Sequence, residues 1–162
     1  MRVTKIECLH ADAGFRNFDF VKISTDEGLV GWSEYNESFG GVGVTSVIEN
    51  LTPKMIGLDP RPNELLVAQM YAVRRQASGG IAQQAVGALE NALLDLNAKA
   101  LGIPVYELLG GPVRERIRLY WSHCGTYRRR WGDAMGLPGV HSLDDVVALG
   151  KEVAASGFTA LK

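Results

Sequence analysis

The sequence predicts an α+β domain followed by a strand–helix–strand unit. Three observations carry that reading. Three β-patterned segments come before Glu37. Helical periodicity then recurs from Thr45 to Leu109. After Pro112 the pattern becomes strand, helix, strand, which implies a parallel pair.

Met1–Leu9 is rich in β-branched residues and alternates, so it reads as a strand. Ala11–Asn17 is a loop containing Gly14. Phe18–Thr25 is the next strand, with Phe18, Phe20 and Lys22 on one face and Val21 and Ile23 on the other. Asp26-Glu27-Gly28 is a hairpin turn, and Leu29–Asn36 returns as its partner. The result is an antiparallel three-stranded meander with a face that needs cover. Glu37–Val44 is a glycine-rich loop that fails as a phosphate cradle. Ser46 stands where a dinucleotide fingerprint needs its last glycine, and no P-loop lysine follows.

Thr45–Ile56 is a first helix, interrupted by Pro53, and Gly57–Pro62 is a stiff turn. Asn63–Arg75 is a second helix and Gln76–Gly80 a loop. From Ile81 the longest helix begins. Ala82, Ala85, Val86, Leu89, Ala92, Leu93, Leu96 and Ala100 fall on one face, and the alanines let a neighbour approach closely. Asp95 and Lys99 form an i,i+4 ion pair on its surface. Gly102 suits the left-handed stop, and Pro104 opens a short helical turn to Leu109. Gly110-Gly111-Pro112 closes it. Beyond lie a strand at Ile117–Ser122, a long polar and aromatic loop at His123–His141, a helix at Ser142–Ser156 and a strand at Phe158–Lys162. Ser142 is placed to cap that helix, with Asp144 and Asp145 in its first turn. One βαβ unit covers neither sheet face nor edge, so further βα units are expected after Lys162 or from another chain.

Composition narrows the function. The 162 residues are 46% hydrophobic and 22% charged with a formal net charge of −1, which argues for a globular domain and against a nucleic-acid partner. Arg128-Arg129-Arg130 is the one local basic run. No stretch is long and apolar enough to span a bilayer, so no membrane partner is expected. The chain starts directly on a strand pattern, which predicts no signal peptide. Cys8 and Cys124 lack metal-type spacing, which points to reduced thiols and a cytoplasmic protein.

Ala88–Leu96 (Ala-Leu-Glu-Asn-Ala-Leu-Leu-Asp-Leu) running through Lys99–Gly111 (Lys-Ala-Leu-Gly-Ile-Pro-Val-Tyr-Glu-Leu-Leu-Gly-Gly) resembles the amino-terminal part of the enolase superfamily, on its mandelate racemase and muconate lactonizing enzyme side. Gly28–Glu34 resembles that family's hairpin strand, and Gly157–Lys162 the start of its Lys-x-Lys strand. Leu94 stands where tryptophan is frequent, and Asn97-Ala98 where a lysine–glycine pair is common. The resemblance implies a capping domain over residues 1–112 and the incomplete start of a TIM-type (β/α) barrel over 113–162. It implies proton abstraction α to a carboxylate, with Mg²⁺ stabilising the enediolate. The substrate would be a small-molecule carboxylate, and the reaction most in keeping is dehydration of an acid sugar or hydroxy acid. Racemisation or cycloisomerisation shares the first step. A homo-oligomer is implied, as is a partner for this chain in the remainder of the barrel or a complementary chain. The Mg²⁺ ligands are expected beyond residue 162, so no catalytic or metal set is complete here. The rival reading is a non-catalytic interaction module that is complete as it stands.

The candidate substrate-binding residues follow. Lys162 matches the first lysine of the motif, at a strand's carboxyl end where barrel active sites are built. Its bland reading is a solvated terminal lysine. His123 and Arg128 follow the first barrel strand and would open onto the mouth, the histidine toward a hydroxyl and the arginine toward a carboxylate. The alternative is an exposed polar loop. Phe15 and Arg16, with Phe39 in the glycine loop, match loops that close over substrate in the family; ordinary turn residues are the other reading. Trp121 and Trp131 read as core, and Glu34 as structural.

Overall fold

The computed structural model describes every residue except Phe39, Gly40, His123 and Cys124. The described chain divides into two compact units, Met1–Asp12 with Asn17–Pro112 and Ala13–Arg16 with Val113–Lys162.

In the first unit, β1 (Val3–Asp12), β2 (Asn17–Thr25) and β3 (Val30–Tyr35) form an antiparallel sheet in the order β1-β2-β3. Cys8 lies opposite Val21, and Val21 opposite Ser33. Alternation sets the faces. Asp19, Val21, Ile23 and Thr25 point inward and are buried, while Phe18, Phe20 and Lys22 are half-buried. The helices cover the inward face. They are α1 (Val44–Leu51), α2 (Asn63–Val73), α3 (Gly80–Leu101) and the single turn α4 (Val105–Leu108). Thr52–Lys54 continues α1 only as a 3-10 turn with Pro53 inside it, since proline cannot donate in an α-helix ladder. Pro104 sits just outside α4, one position earlier than the sequence suggests.

The core gathers Val21 and Ile23 of the sheet, Ile48 and Leu51 of α1, Leu66 and Met70 of α2, and Leu89, Ala92, Leu93 and Leu96 of α3. The predicted stripe on α3 is buried from Ala82 to Leu96 but not at Ala100. Ala88, Asn97 and Ala98 are buried beside it, and Gly102 ends the helix at φ 70. The seam of α3 on β3 is unusually close. A Cβ on Gly31 would lie 2.1 Å from Ala92 O and 2.8 Å from Leu96 Cβ. Asp95 Oδ2 accepts from Trp32 N at 2.8 Å, and Lys99 Nζ donates to Val30 O at 3.0 Å. Lys99 and Asp95 also pair at 2.6 Å, as their spacing predicts.

The second unit differs from the sequence expectation in two places. The segments read as strands at 117–122 and 158–162 meet in one parallel bridge, Trp121 with Leu161. Trp121 N donates to Ala160 O at 2.8 Å, and Lys162 N donates to Trp121 O at 2.9 Å. A parallel pair is weaker per residue than an antiparallel one, and among the described residues no third strand lies beside it. The span 123–141, read as a loop, contains α5 (Thr126–Met135), kinked at Trp131 and stopped by Gly136 at φ 64. It carries no apolar stripe, and its buried residues are Arg128 and Gly132. Periodicity therefore could not reveal it. The helix α6 (Leu143–Ala155) forms as expected, with Ser142 and Asp145 capping each other reciprocally. Its Leu149 and Val153 pack with Val140 and Trp121.

Gly31→Ala is expected to destabilise the first unit by ~1–3 kcal/mol, because the added carbon meets backbone rather than a movable side chain. Leu93→Ala is expected to cost ~2–5 kcal/mol through the cavity it leaves. Urea unfolding midpoints check both, and wild-type midpoints would mean that α3 does not pack as described.

Candidate functional site

Three of the sequence candidates, Phe15, Arg16 and Arg128, lie in the second unit. Phe15 and Arg16 are half-buried in the loop Ala13–Arg16. Phe15 meets Tyr127 of α5 edge to face, with ring centroids 6.0 Å apart. Arg128 follows Tyr127 and turns inward. Its guanidinium lies 5.6 Å from the Trp121 ring centroid, and its two terminal nitrogens donate to the Glu152 carboxylate at 2.7 and 2.5 Å. The side chain is only 5% exposed.

That geometry leaves Arg128 buried and paired rather than exposed on a polar loop. A fork-to-fork pair with a carboxylate of α6 occupies the arginine, and the Trp121 ring lies along it. The charge-assisted hydrogen bonds raise the Arg128 guanidinium above its ordinary range and hold the Glu152 carboxyl below its own. Trp121 is the hub. Its backbone pairs with Ala160 and Lys162, and its ring packs against both the core and Arg128, the core role the sequence suggests. Lys162 therefore has a fixed backbone and an exposed side chain. Arg118 ties the same segments, donating to Thr159 Oγ1 at 2.9 Å and to Thr159 O. Trp131 is 43% exposed and is not core. His123 and Phe39 lie outside the described residues.

A second polar constellation sits in the first unit, at the base of the glycine loop. Asp19 is 2% exposed on the inward face of β2. Its Oδ1 lies 2.6 Å from His10 Nδ1, and its Oδ2 accepts from Glu37 N at 2.9 Å. The Glu37 carboxylate then accepts from Gly43 N at 2.7 Å, Thr45 N at 2.8 Å and Thr45 Oγ1 at 3.0 Å. Tyr35 OH is 2.8 Å from Thr45 Oγ1. Glu37 thus satisfies the orphan N–H groups at the start of α1, where Gly43 offers no side chain to cap. Sequence reasoning missed this group. The available signal was Asp19 itself, an acid in phase with the buried Val21 and Ile23.

Among the described residues, no three His, Cys, Asp or Glu side chains gather as a metal site. The described residues therefore offer no three-ligand set for a resident cation. No helix is long and apolar enough to cross a membrane among them.

Residues 11–110 match the model for the mandelate racemase/muconate lactonizing enzyme N-terminal domain. The chain belongs to this family. As a mandelate racemase/muconate lactonizing enzyme family member of the enolase superfamily, it is 35% identical over 150 residues to the D-galactonate dehydratase of Xanthomonas campestris pv. campestris strain B100. That match covers 93% of this chain and 36% of the relative, so the chain spans little more than a third of the relative's length. A candidate L-alanine-DL-glutamate epimerase from Burkholderia xenovorans strain LB400, solved bound to magnesium and fumarate, is 44% identical with a TM-score of 0.91. It aligns over 99% of this chain and 40% of its own. The 3,6-anhydro-D-galactonate cycloisomerase of Zobellia galactanivorans is 27% identical, with a TM-score of 0.80, over 99% of this chain and 42% of its own. The three-stranded sheet with its helices is thus the N-terminal capping fold of the family.

In this family member the loop base should respond to acid. Burial pushes the Glu37 carboxyl up, but the hydrogen bonds from Thr45 and Gly43 outweigh it and hold the group below its ordinary 4.5. A depressed carboxyl contributes stability that is present above that value and lost as pH falls through the folded one. Glu37→Gln is expected to lower stability at pH 7 by ~1–2 kcal/mol and to flatten the fall between pH 5 and pH 3, the span about the ordinary value. Urea unfolding of both forms across that range measures it. Parallel acid limbs would show that Glu37 does not hold the loop.

Proposed function

We propose that this chain is the amino-terminal part of a magnesium-dependent enzyme that removes the α-proton of a carboxylate substrate and dehydrates an acid sugar or hydroxy acid. The carrying observation is the 35% identity to a D-galactonate dehydratase across 93% of the chain. The cycloisomerase similarity supports the same class of sugar-acid chemistry. In this reading a base after Lys162 takes the α-proton, and an acid expels the β-hydroxyl. Magnesium, when bound, would supply positive charge to the enediolate formed by loss of the α-proton, and segments other than the described residues would hold it. The enzyme works in the cytoplasm as a homo-oligomer. The widely separated cysteines support the first, and the exposed Leu65, Leu101 and Leu109 support an assembly.

Within this chain, Lys162 contacts the substrate carboxylate with its exposed ammonium, and His123 meets a substrate hydroxyl. Phe15 and Arg16 border the substrate from their loop. Arg128 acts as a positioning residue. A ligand carboxylate would have to displace Glu152 from a buried fork, so the arginine sets the pose of α5 rather than binding substrate. A second reading, racemisation or epimerisation of a carboxylate, is favoured by the similarity to the magnesium- and fumarate-bound Burkholderia structure.

The test is the whole enzyme bearing this chain, incubated in D₂O with Mg²⁺ and D-galactonate and followed by proton NMR. Loss of water to a 2-keto-3-deoxy acid is expected. Deuterium at the α-carbon without water loss, with this or an amino-acid-derived carboxylate, would move the assignment to the second reading. Neither outcome across acid sugars would defeat both. Lys162→Met is expected to lower kcat/KM by ~10–100-fold, the loss of one charge-assisted contact. The 162-residue chain by itself is expected to bind Mg²⁺ only weakly, and a tight stoichiometric site in a titration would contradict that.

A further inference from the structure

Arg129, Arg130 and His141 converge on a cleft of about 350 Å³ in the second unit, with Asp133, Gly132 and Gly139 on its wall. Arg128 also borders it, but Glu152 already answers that charge. The other two arginines differ. Arg129 Nη1 lies 2.5 Å from His141 Nδ1. A guanidinium has only donors, so the imidazole nitrogen is the accepting partner in this contact. No carboxylate therefore answers Arg129 through that contact. Asp145, four residues after His141, is taken up by the start of α6. It accepts from His141 N at 2.9 Å, Ser142 N at 2.8 Å and Ser142 Oγ at 2.8 Å. The lining of the cleft is thus rich in N–H donors, with Asp133 as its one acid.

The cleft is also shaped for its occupants. A Cβ on Gly139 would lie 2.4 Å from His141 Nε2, and one on Gly132 would lie 3.1 Å from Gly139 Cα and from Leu137 O. Neither glycine has a left-handed φ. What the missing side chains provide is therefore room, for the imidazole and for the 137–139 segment against α5. Two guanidinium cations and an imidazole on one concave wall form a lining that suits a compact anion.

We propose that this cleft binds a small oxyanion, phosphate or carboxylate, through Arg129, Arg130 and His141. The proposal stands independently of the enzymatic reading. Titration of the 162-residue chain with inorganic phosphate, at constant ionic strength, tests it. The readout is NMR of the arginine Nε–Hε and histidine ring resonances. Saturable shifts are expected on Arg129, Arg130 and His141, with affinity about tenfold weaker in the Arg129→Gln/Arg130→Gln double variant, the equivalent of one charge-assisted bond. Arg130→Gln alone keeps the Arg129–His141 contact and should weaken binding at least about threefold, which covers a double variant that fails to fold. A parallel titration with glycolate assigns the source. Saturation by glycolate on the same residues points to a carboxylate ligand, and saturation by phosphate alone to a phosphate. Linear, unsaturated shifts with both anions, or unchanged affinity in the variants, would overturn the site.

Discussion

The first unit depends on how closely α3 lies on β3. Gly31 gives up its side chain so that the backbone of Ala92 and the Cβ of Leu96 can approach. Close approach alone would let the helix slide, since apolar contacts are not directional. The register is fixed by Asp95 and Lys99. One accepts the Trp32 N–H and the other donates to the Val30 carbonyl, while the two stay paired with each other. β3 is an edge strand, and these are backbone groups on its free side. A pair that would contribute little as a surface salt bridge here also caps an open sheet edge.

From that seam the rest of the unit follows. With α3 fixed, its buried stripe presents Ala85, Val86, Leu89 and Leu93 for α1 and α2 to close over. α1 then needs its amino end satisfied, and Gly43 cannot do so. Glu37 takes that role, and Asp19 holds Glu37 by its backbone. A buried carboxylate on a strand is costly unless each oxygen is answered, and here both are, by His10 and by Glu37 N. The chain from β2 to the glycine loop to α1 is therefore one connected hydrogen-bond network.

Much of this was readable in the amino-acid order, for a physical reason. Where burial follows a period, as on α3 or in the alternation of β2, the pattern exposes the element and its inward face. Local chemistry was readable too, as in the reciprocal cap of Ser142 and Asp145 or the break at Pro53. What stayed hidden depends on partners distant in sequence. α5 buries an arginine and a glycine rather than an apolar stripe, and Glu152 answers Arg128 from 24 residues away. Glu37 looks like an ordinary loop acid until Gly43 and Thr45 are folded back upon it. The parallel strands were over-read, because apolar alternation marks a segment able to pair and says nothing of the neighbours it needs.

The second unit is organised on a different principle from the first. Its apolar core is small, Val140, Leu149 and Val153 with Trp121 against them, so buried polar contacts carry a larger share of its definition. Arg128 and Glu152 fix α5 to α6, and Arg118 fixes the approach of the two extended segments. Such a pair adds little net stability beside an apolar replacement of the same shape, but removing one partner strands a buried charge. It is thus better suited to specifying one arrangement than to holding the unit together. The basic run at 128–130 is in consequence not a uniform charged face. Its first arginine is structural, and the next two retain exposed side chains at a cleft. Reading all three as one electrostatic patch would merge a pillar with the groups that it positions.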